Sequence, residues 1–140
     1  MSGTAVLAYS GGLDTSCAIA WLKEDYGFDE VVAVLVDVGQ DAEPAAAVER
    51  GRLAGADDVV VLDRREAFAG DQVAKALVAN ALYEGRYPLV SALSRPVIAE
   101  AVADIAGTLA GDDTIFVAPR DGLTGAQLAE ELTHHLEGDT

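Results

Sequence analysis

Residues 5–16 read AVLAYSGGLDTS. An apolar run of strand length ends at Tyr9, two glycines follow Ser10, and Asp14, Thr15 and Ser16 lead into a stretch with helical spacing. Strand, glycine turn and helix start, in that order, make the junction at which open parallel sheets bind their ligands. Gly11 and Gly12 permit a sharp turn and a close backbone approach, because no Cβ intervenes. The unpaired N–H groups at the positive end of the next helix favour an anion. Ser10, Thr15 and Ser16 add hydroxyl donors suited to phosphate oxygens. Asp14 would repel a bare phosphate, so it suits a divalent cation or the orientation of the loop. The stretch is not a Walker loop, since Gly-Lys-Ser/Thr is absent, and not a dinucleotide fingerprint, since the third glycine is absent. An ordinary glycine turn with an Asp, Thr or Ser helix cap uses the same residues. The complete order of strand, SGGLDTS and amphipathic helix selects phosphate binding.

Strand-length apolar runs recur along the chain as TAVLAY (4–9), VVAVLV (31–36), DVVVL (58–62) and TIFVA (114–118). None alternates, as expected of parallel strands buried on both faces. Helices are predicted over 14–25, with Ala18, Ile19, Trp21 and Leu22 as the apolar positions and Gly27 as the stop, and over 43–54, followed by Gly55. Further helices are predicted over 66–82, 93–110 and 123–136. Strand–helix alternation with short links specifies an α/β fold with a doubly wound, mostly parallel, Rossmann-like sheet in three α/β/α layers. No repeat or linker divides the sequence, so a single domain over residues 1–140 is expected.

The composition narrows the partners. A net charge of −15 opposes binding to nucleic acid. Any phosphate is bound against this field, so backbone amides and a divalent cation must supply the attraction. Apolar runs are too short to span a bilayer, no secretory signal is apparent, and a single cysteine, Cys17, fits a cytoplasmic location. An apolar fraction of 51% and a mean hydropathy of +0.22 describe a globular chain.

AYSGGLDTS (8–16) resembles the pyrophosphate loop of the N-type ATP pyrophosphatases, and specifically that of the argininosuccinate synthase family. DVGQ (37–40), NALYEGRYPL (80–89) and ALSRPVIAE (92–100) stand in that family's order and spacing. The resemblance, over about residues 4–106, implies an adenine-nucleotide-alpha-hydrolase-like fold and ATP with Mg²⁺ as cofactors. It also implies adenylylation of citrulline with release of pyrophosphate, before aspartate displaces AMP. Ser10, Gly11, Gly12, Asp14, Thr15 and Ser16 would hold the phosphates, with Asp14 and Ser16 as the catalytic pair and Asp14 on the metal. Backbone groups at Ala8 and Val36 would meet adenine. Tyr87, Ser91 and Arg95 match the citrulline-binding stretch; an arginine fork is a natural clamp for a carboxylate. Read without the resemblance, YEGRYPLVSALSRP is a helix-to-helix connection in which Pro88 and Pro96 stop and restart helices.

One stretch departs from the family. Its H-G-x-T-G-K-G-N-D-Q loop is here APRDGLTGAQ (118–127), which reads as a plain strand–helix loop capped by Thr124 in preference to a second phosphate-facing turn over 118–125 with Arg120 in place of the lysine. The family also continues into a large second domain. The expectation is therefore a domain that adenylylates but does not complete the aspartate step alone. The alternatives are a module that holds adenine nucleotide without chemistry and a subunit that requires a separate synthetase partner; as partners, a homodimer or that separate subunit is expected. Cys17 is expected to be a small buried residue, His134 and His135 to face different ways, and Asp37 to touch a ribose or metal or to cap a turn.

Overall fold

The computed structural model describes residues 3–40, 43–109 and 114–117. Strands β1 (Thr4–Ala8), β2 (Glu30–Asp37), β3 (Asp58–Asp63) and a later β6 (Thr114–Val117) form one sheet in the order β3-β2-β1-β6, with every neighbouring pair parallel. Helices α1 (Leu13–Glu24) and α2 (Pro44–Leu53) connect the first three strands. The chain then runs through α3 (Arg65–Ala67), a π-helical stretch (Phe68–Val73) and α4 (Ala74–Val78) into a short hairpin, β4 (Leu82–Tyr83) with β5 (Tyr87–Pro88). The long helix α5 (Val90–Leu109) leads to β6.

Alternation along the strands divides the core into two halves. Ala5, Leu7, Val31, Ala33 and Leu35 pack with Ile19 and Leu22 of α1 and Ala47 of α2. Val6, Val32, Val34 and Val36 face the other way, onto Ala101 and Val102 of α5. These are the three expected α/β/α layers. Moving from β1 to β3 the helices cover one face; returning from β3 to β6 the chain covers the other, which keeps the crossovers right-handed. Residues 31–36 are all buried, so the non-alternating run VVAVLV marks the sheet centre. DVVVL differs: Val59 is buried but Val61 is 42% exposed, because β3 has a strand neighbour on one side only among the described residues.

Glycines punctuate the helices as their positions predict. Gly55, at φ +99°, follows α2, with its N–H on the Arg52 carbonyl and the Ala56 N–H on the Gly51 carbonyl. That double tie is a Schellman stop. Three local expectations change. The helix predicted over 66–82 contains the π stretch and ends at Val78, with Asn80 at φ +48° beyond its end. The hairpin over 82–88 replaces a plain connection, turning through Glu84 and Gly85, both at positive φ. Pro96 lies inside α5 and restarts nothing. On α1, Trp21 is 44% exposed while Ile19 and Leu22 turn inward. The stretches 118–127 and 123–136, including Arg120, Thr124, His134 and His135, lie outside the described residues.

At the amino edge, Asp57 ties α1 to the sheet. Its Oδ2 accepts from the Val31 amide at 2.7 Å and meets Lys23 Nζ at 2.7 Å. Burial raises this carboxyl's pKa, but the Lys23 and Val31 bonds outweigh it and hold the carboxyl below its ordinary range.

Candidate functional site

β1 lies between β2 and β6, and the chain leaves its carboxyl end in one direction and later returns from the other. This is the topological switch point of the sheet, where the diverging loops leave a crevice. The loop Tyr9–Gly12 and the first turn of α1 stand there.

The loop is shaped from behind by α2. Gly11, at φ +77°, packs so close to that helix that a Cβ would lie 2.7 Å from the Ala47 Cβ. Its carbonyl accepts a hydrogen bond from Arg50 Nε at 2.9 Å. On the same helix Gly51 makes room for the Tyr9 ring; a Cβ there would stand 3.2 Å from Tyr9 Cε1. Tyr9 is buried, and its phenol meets Ser16 Oγ at 3.1 Å.

The hydroxyls of SGGLDTS form a directed set. A carbonyl only accepts, so Ser16 Oγ spends its proton on the Gly12 carbonyl at 2.8 Å, and Tyr9 is therefore the donor to Ser16. Thr15 Oγ1 likewise donates to Gly12 at 3.3 Å, which makes Ser10 the donor to Thr15 at 3.1 Å. Ser10 Oγ in turn accepts from the Gly12 amide at 3.2 Å. Because these hydroxyls turn back to the loop, none caps α1, whose N-cap residue is Gly12. The amides of Leu13, Asp14 and Thr15 make no hydrogen bond among the described residues, and Asp14 is exposed beside them. Three donors at the positive end of a 12-residue helix suit an anion.

Beside this loop, β2 ends in DVGQ. Asp37 Oδ1 accepts from the Gly39 amide at 2.9 Å, so Asp37 caps the turn, and Arg65 Nε lies 3.6 Å from its Oδ2. The Gln40 amide folds back on the strand, donating to the Val36 carbonyl at 3.0 Å and accepting from the Val38 amide at 2.9 Å. Arg65 also forks onto Asp63 at 3.0 and 2.6 Å, and this guanidinium holds the Asp63 carboxyl down at about 2.

The third group of expected residues reaches the same edge from the opposite face. α5 leads to β6, which begins at the amino edge, so the first turns of α5 project beyond the carboxyl edge. Ser91 and Arg95 lie on those turns, and Tyr87, 63% exposed, lies on the hairpin just before them. The topology thus brings Ala8, Ser10–Ser16, Val36 and the Tyr87–Arg95 stretch to one edge. Cys17, expected to be buried, is exposed.

For a metal, the described residues contain no cluster of three or more His, Cys, Asp or Glu side chains. Asp14, exposed in the first turn of α1, offers a single hard carboxylate ligand. That fits Mg²⁺ arriving on a polyphosphate, since Mg²⁺ keeps waters and needs only one or two protein carboxylates. Sequence reading missed Arg50, Tyr9, Gly51 and the Gln40 amide. Tyr9 and Gln40 stood in stretches already singled out, AYSGGLDTS and DVGQ; Arg50 and Gly51 did not.

The family model for the arginosuccinate synthase N-terminal HUP domain matches residues 4–125. An argininosuccinate synthase of Dehalococcoides mccartyi is 51% identical over 106 residues, covering 76% of this chain and 26% of that protein. Those of Gloeobacter violaceus, 48% identical over 107 residues, and Streptococcus thermophilus, 52% over 101, are similar over 76% and 72% of this chain and 27% and 25% of their own lengths. The chain thus spans about a quarter of the curated relatives it matches. In fold it is similar to NAD+ synthetase from Burkholderia pseudomallei, with a TM-score of 0.54 at 21% identity over 99% of this chain and 67% of that one. A doubly wound sheet, an uncapped SGGLDTS helix start and a family match across most of the sequence agree: the chain belongs to the argininosuccinate synthase family, through its N-terminal HUP domain.

Proposed function

We propose that the chain binds Mg-ATP at the carboxyl edge of its sheet and adenylylates citrulline, or a related ureido or amide compound, releasing pyrophosphate. The observation that carries this reading is the uncapped start of α1, with the Gly11–Gly12 turn held open by Arg50 and Tyr9. Adenylylation needs positioning and charge neutralisation more than a strong nucleophile. The α1 amides would bind the phosphates, and the hydroxyls of Ser10, Thr15 and Ser16 would rotate from their bonds within the loop to donate to them. Asp14 would hold Mg²⁺, which neutralises phosphate charge. Arg50 places a fixed cation behind the loop, a local exception to the acidic field. Backbone at Ala8 and Val36 would take the adenine, and Tyr87, Ser91 and Arg95 the citrulline. A cytoplasmic setting suits this biosynthetic role; no helix among the described residues is long and apolar enough to cross a membrane.

A second reading rests on APRDGLTGAQ, which replaces the family's second glycine-rich loop. It makes the chain a nucleotide-holding module, or a subunit whose aspartate step depends on a synthetase partner. Pyrophosphate release from Mg-ATP, with and without citrulline, separates the two. Citrulline-dependent release that Asp14→Asn abolishes supports adenylylation. ATP binding by calorimetry without release supports the second reading, and no ATP binding overturns both.

A further inference from the structure

The parallel ladder between β1 and β2 stops one step short. The Tyr9 amide donates to the Val34 carbonyl at 2.9 Å, the last rung before the chain turns into SGGLDTS. Backbone groups two residues apart on a strand point the same way, so the Val36 carbonyl and Val38 amide face the flank that β1 has vacated. The intervening Asp37 carbonyl faces the other way, onto the Arg64 amide of the β3 side at 2.8 Å. The open flank therefore offers one acceptor and one donor in a row, beside the phosphate loop.

The Gln40 side chain fills both, and only one amide orientation satisfies them: Nε2 on the Val36 carbonyl and Oε1 on the Val38 amide. A planar donor beside a planar acceptor is also what adenine presents, with its amino group next to ring N1. Guanine and hypoxanthine present the opposite order. Gly39, at φ +94°, supplies the reversal that brings Gln40 back.

We infer that Gln40 is an internal stand-in for adenine, seated on the purine-reading edge of β2 in the free chain and displaced when the nucleotide binds. This rests on the ATP-binding reading above and adds a competitor to it. Apparent affinity falls by the fraction of molecules in which the edge is occupied. Two neutral hydrogen bonds at an exposed strand end correspond to about a three- to tenfold penalty. The penalty applies to ligands carrying a 6-aminopurine and not to bare polyphosphates.

The test is calorimetry of wild type and Gln40→Met with Mg-ATP, adenosine, inosine and Mg-tripolyphosphate. Tightening of ATP and adenosine by about three- to tenfold, with inosine and tripolyphosphate unchanged, is the expected result. In wild type, the Gln40 side-chain NH₂ resonances should also shift as adenosine saturates the site. Unchanged or weaker adenosine binding in the variant overturns the inference and leaves Gln40 a strand-end tie or a direct nucleotide contact. Tripolyphosphate binding without adenosine binding, in both proteins, overturns it while sparing the phosphate loop. Binding of neither ATP nor tripolyphosphate overturns the ATP-binding reading and this inference together. If Gln40→Met does not fold, Gln40→Glu serves, because it keeps an acceptor for Val38 but sets a carboxylate oxygen against the Val36 carbonyl; the same tightening is expected, and its absence overturns the inference.

Discussion

Arg50 reaches across from α2 to the carbonyl of Gly11, Nε to oxygen 2.9 Å, and so ties the second crossover helix to the turn that opens the first. The bond orients the glycine turn and leaves the rest of the guanidinium beside it as a positive charge. Its loss should therefore affect binding more than folding.

Arg50→Ala is expected to weaken Mg-ATP binding about tenfold while costing about 1 kcal/mol of stability. Calorimetry and denaturant unfolding on the same samples check the split. Arg50→Lys keeps the charge without the Nε geometry and should fall between the two.

Gly11→Ala combines a left-handed φ with a Cβ 2.7 Å from that of Ala47, whereas Gly55→Ala has a left-handed φ and no atom within 4 Å. The second should cost about 1 kcal/mol from backbone strain alone. The first should cost about 2–4 kcal/mol, because α2 must also move. Equal unfolding midpoints for the two variants would contradict the close approach of loop and helix.

Tyr9→Phe removes the donor to Ser16 and leaves Ser16 still bound to Gly12. A loss of about 0.5–1.5 kcal/mol is expected, without a change of fold. Amide exchange should rise at the α1 start and stay unchanged in β2.

Asp63 should titrate at about 2, against an ordinary value of 3.8, because Arg65 hydrogen-bonds its ionised form. A depressed folded-state pKa contributes stability that is present above the unfolded value and lost as pH falls through the folded one. The contribution of this pair is thus complete above about pH 4 and disappears toward pH 2. Carbon-detected NMR titration of the side-chain carboxyl reads it directly, and Arg65→Ala should return the midpoint toward the ordinary value.

Much of this architecture was legible in local sequence. VVAVLV reads as a strand buried on both faces, since six apolar residues without alternation call for cover on both, and all six are buried. The glycine turn and the helix after it were equally legible, because both depend on neighbours within a few residues. Local reading failed where packing arbitrates. DVVVL resembles a central strand yet lies at an edge of the sheet among the described residues, and Trp21 shares the helical spacing of Ile19 but points outward. The π stretch and the Asn80 stop interrupt a pattern that local propensity would continue. The hairpin at Tyr83 and Tyr87 needs two positive-φ residues, one of them the non-glycine Glu84.

The order of motifs along the chain already pointed to the family, because AYSGGLDTS, DVGQ, NALYEGRYPL and ALSRPVIAE follow its order and spacing, and the strand, SGGLDTS and helix start marked the glycine turn. The support behind that turn required three dimensions. Arg50 lies 39 residues from Gly11, and the two meet because right-handed crossovers lay α2 beside α1 on one face of the sheet. The same winding carries α5 to the opposite face and brings Tyr87, Ser91 and Arg95 to the edge where the loop stands. Sequence spacing carries no record of such meetings, since they are set by the order of strands in the sheet and by the hand of its connections.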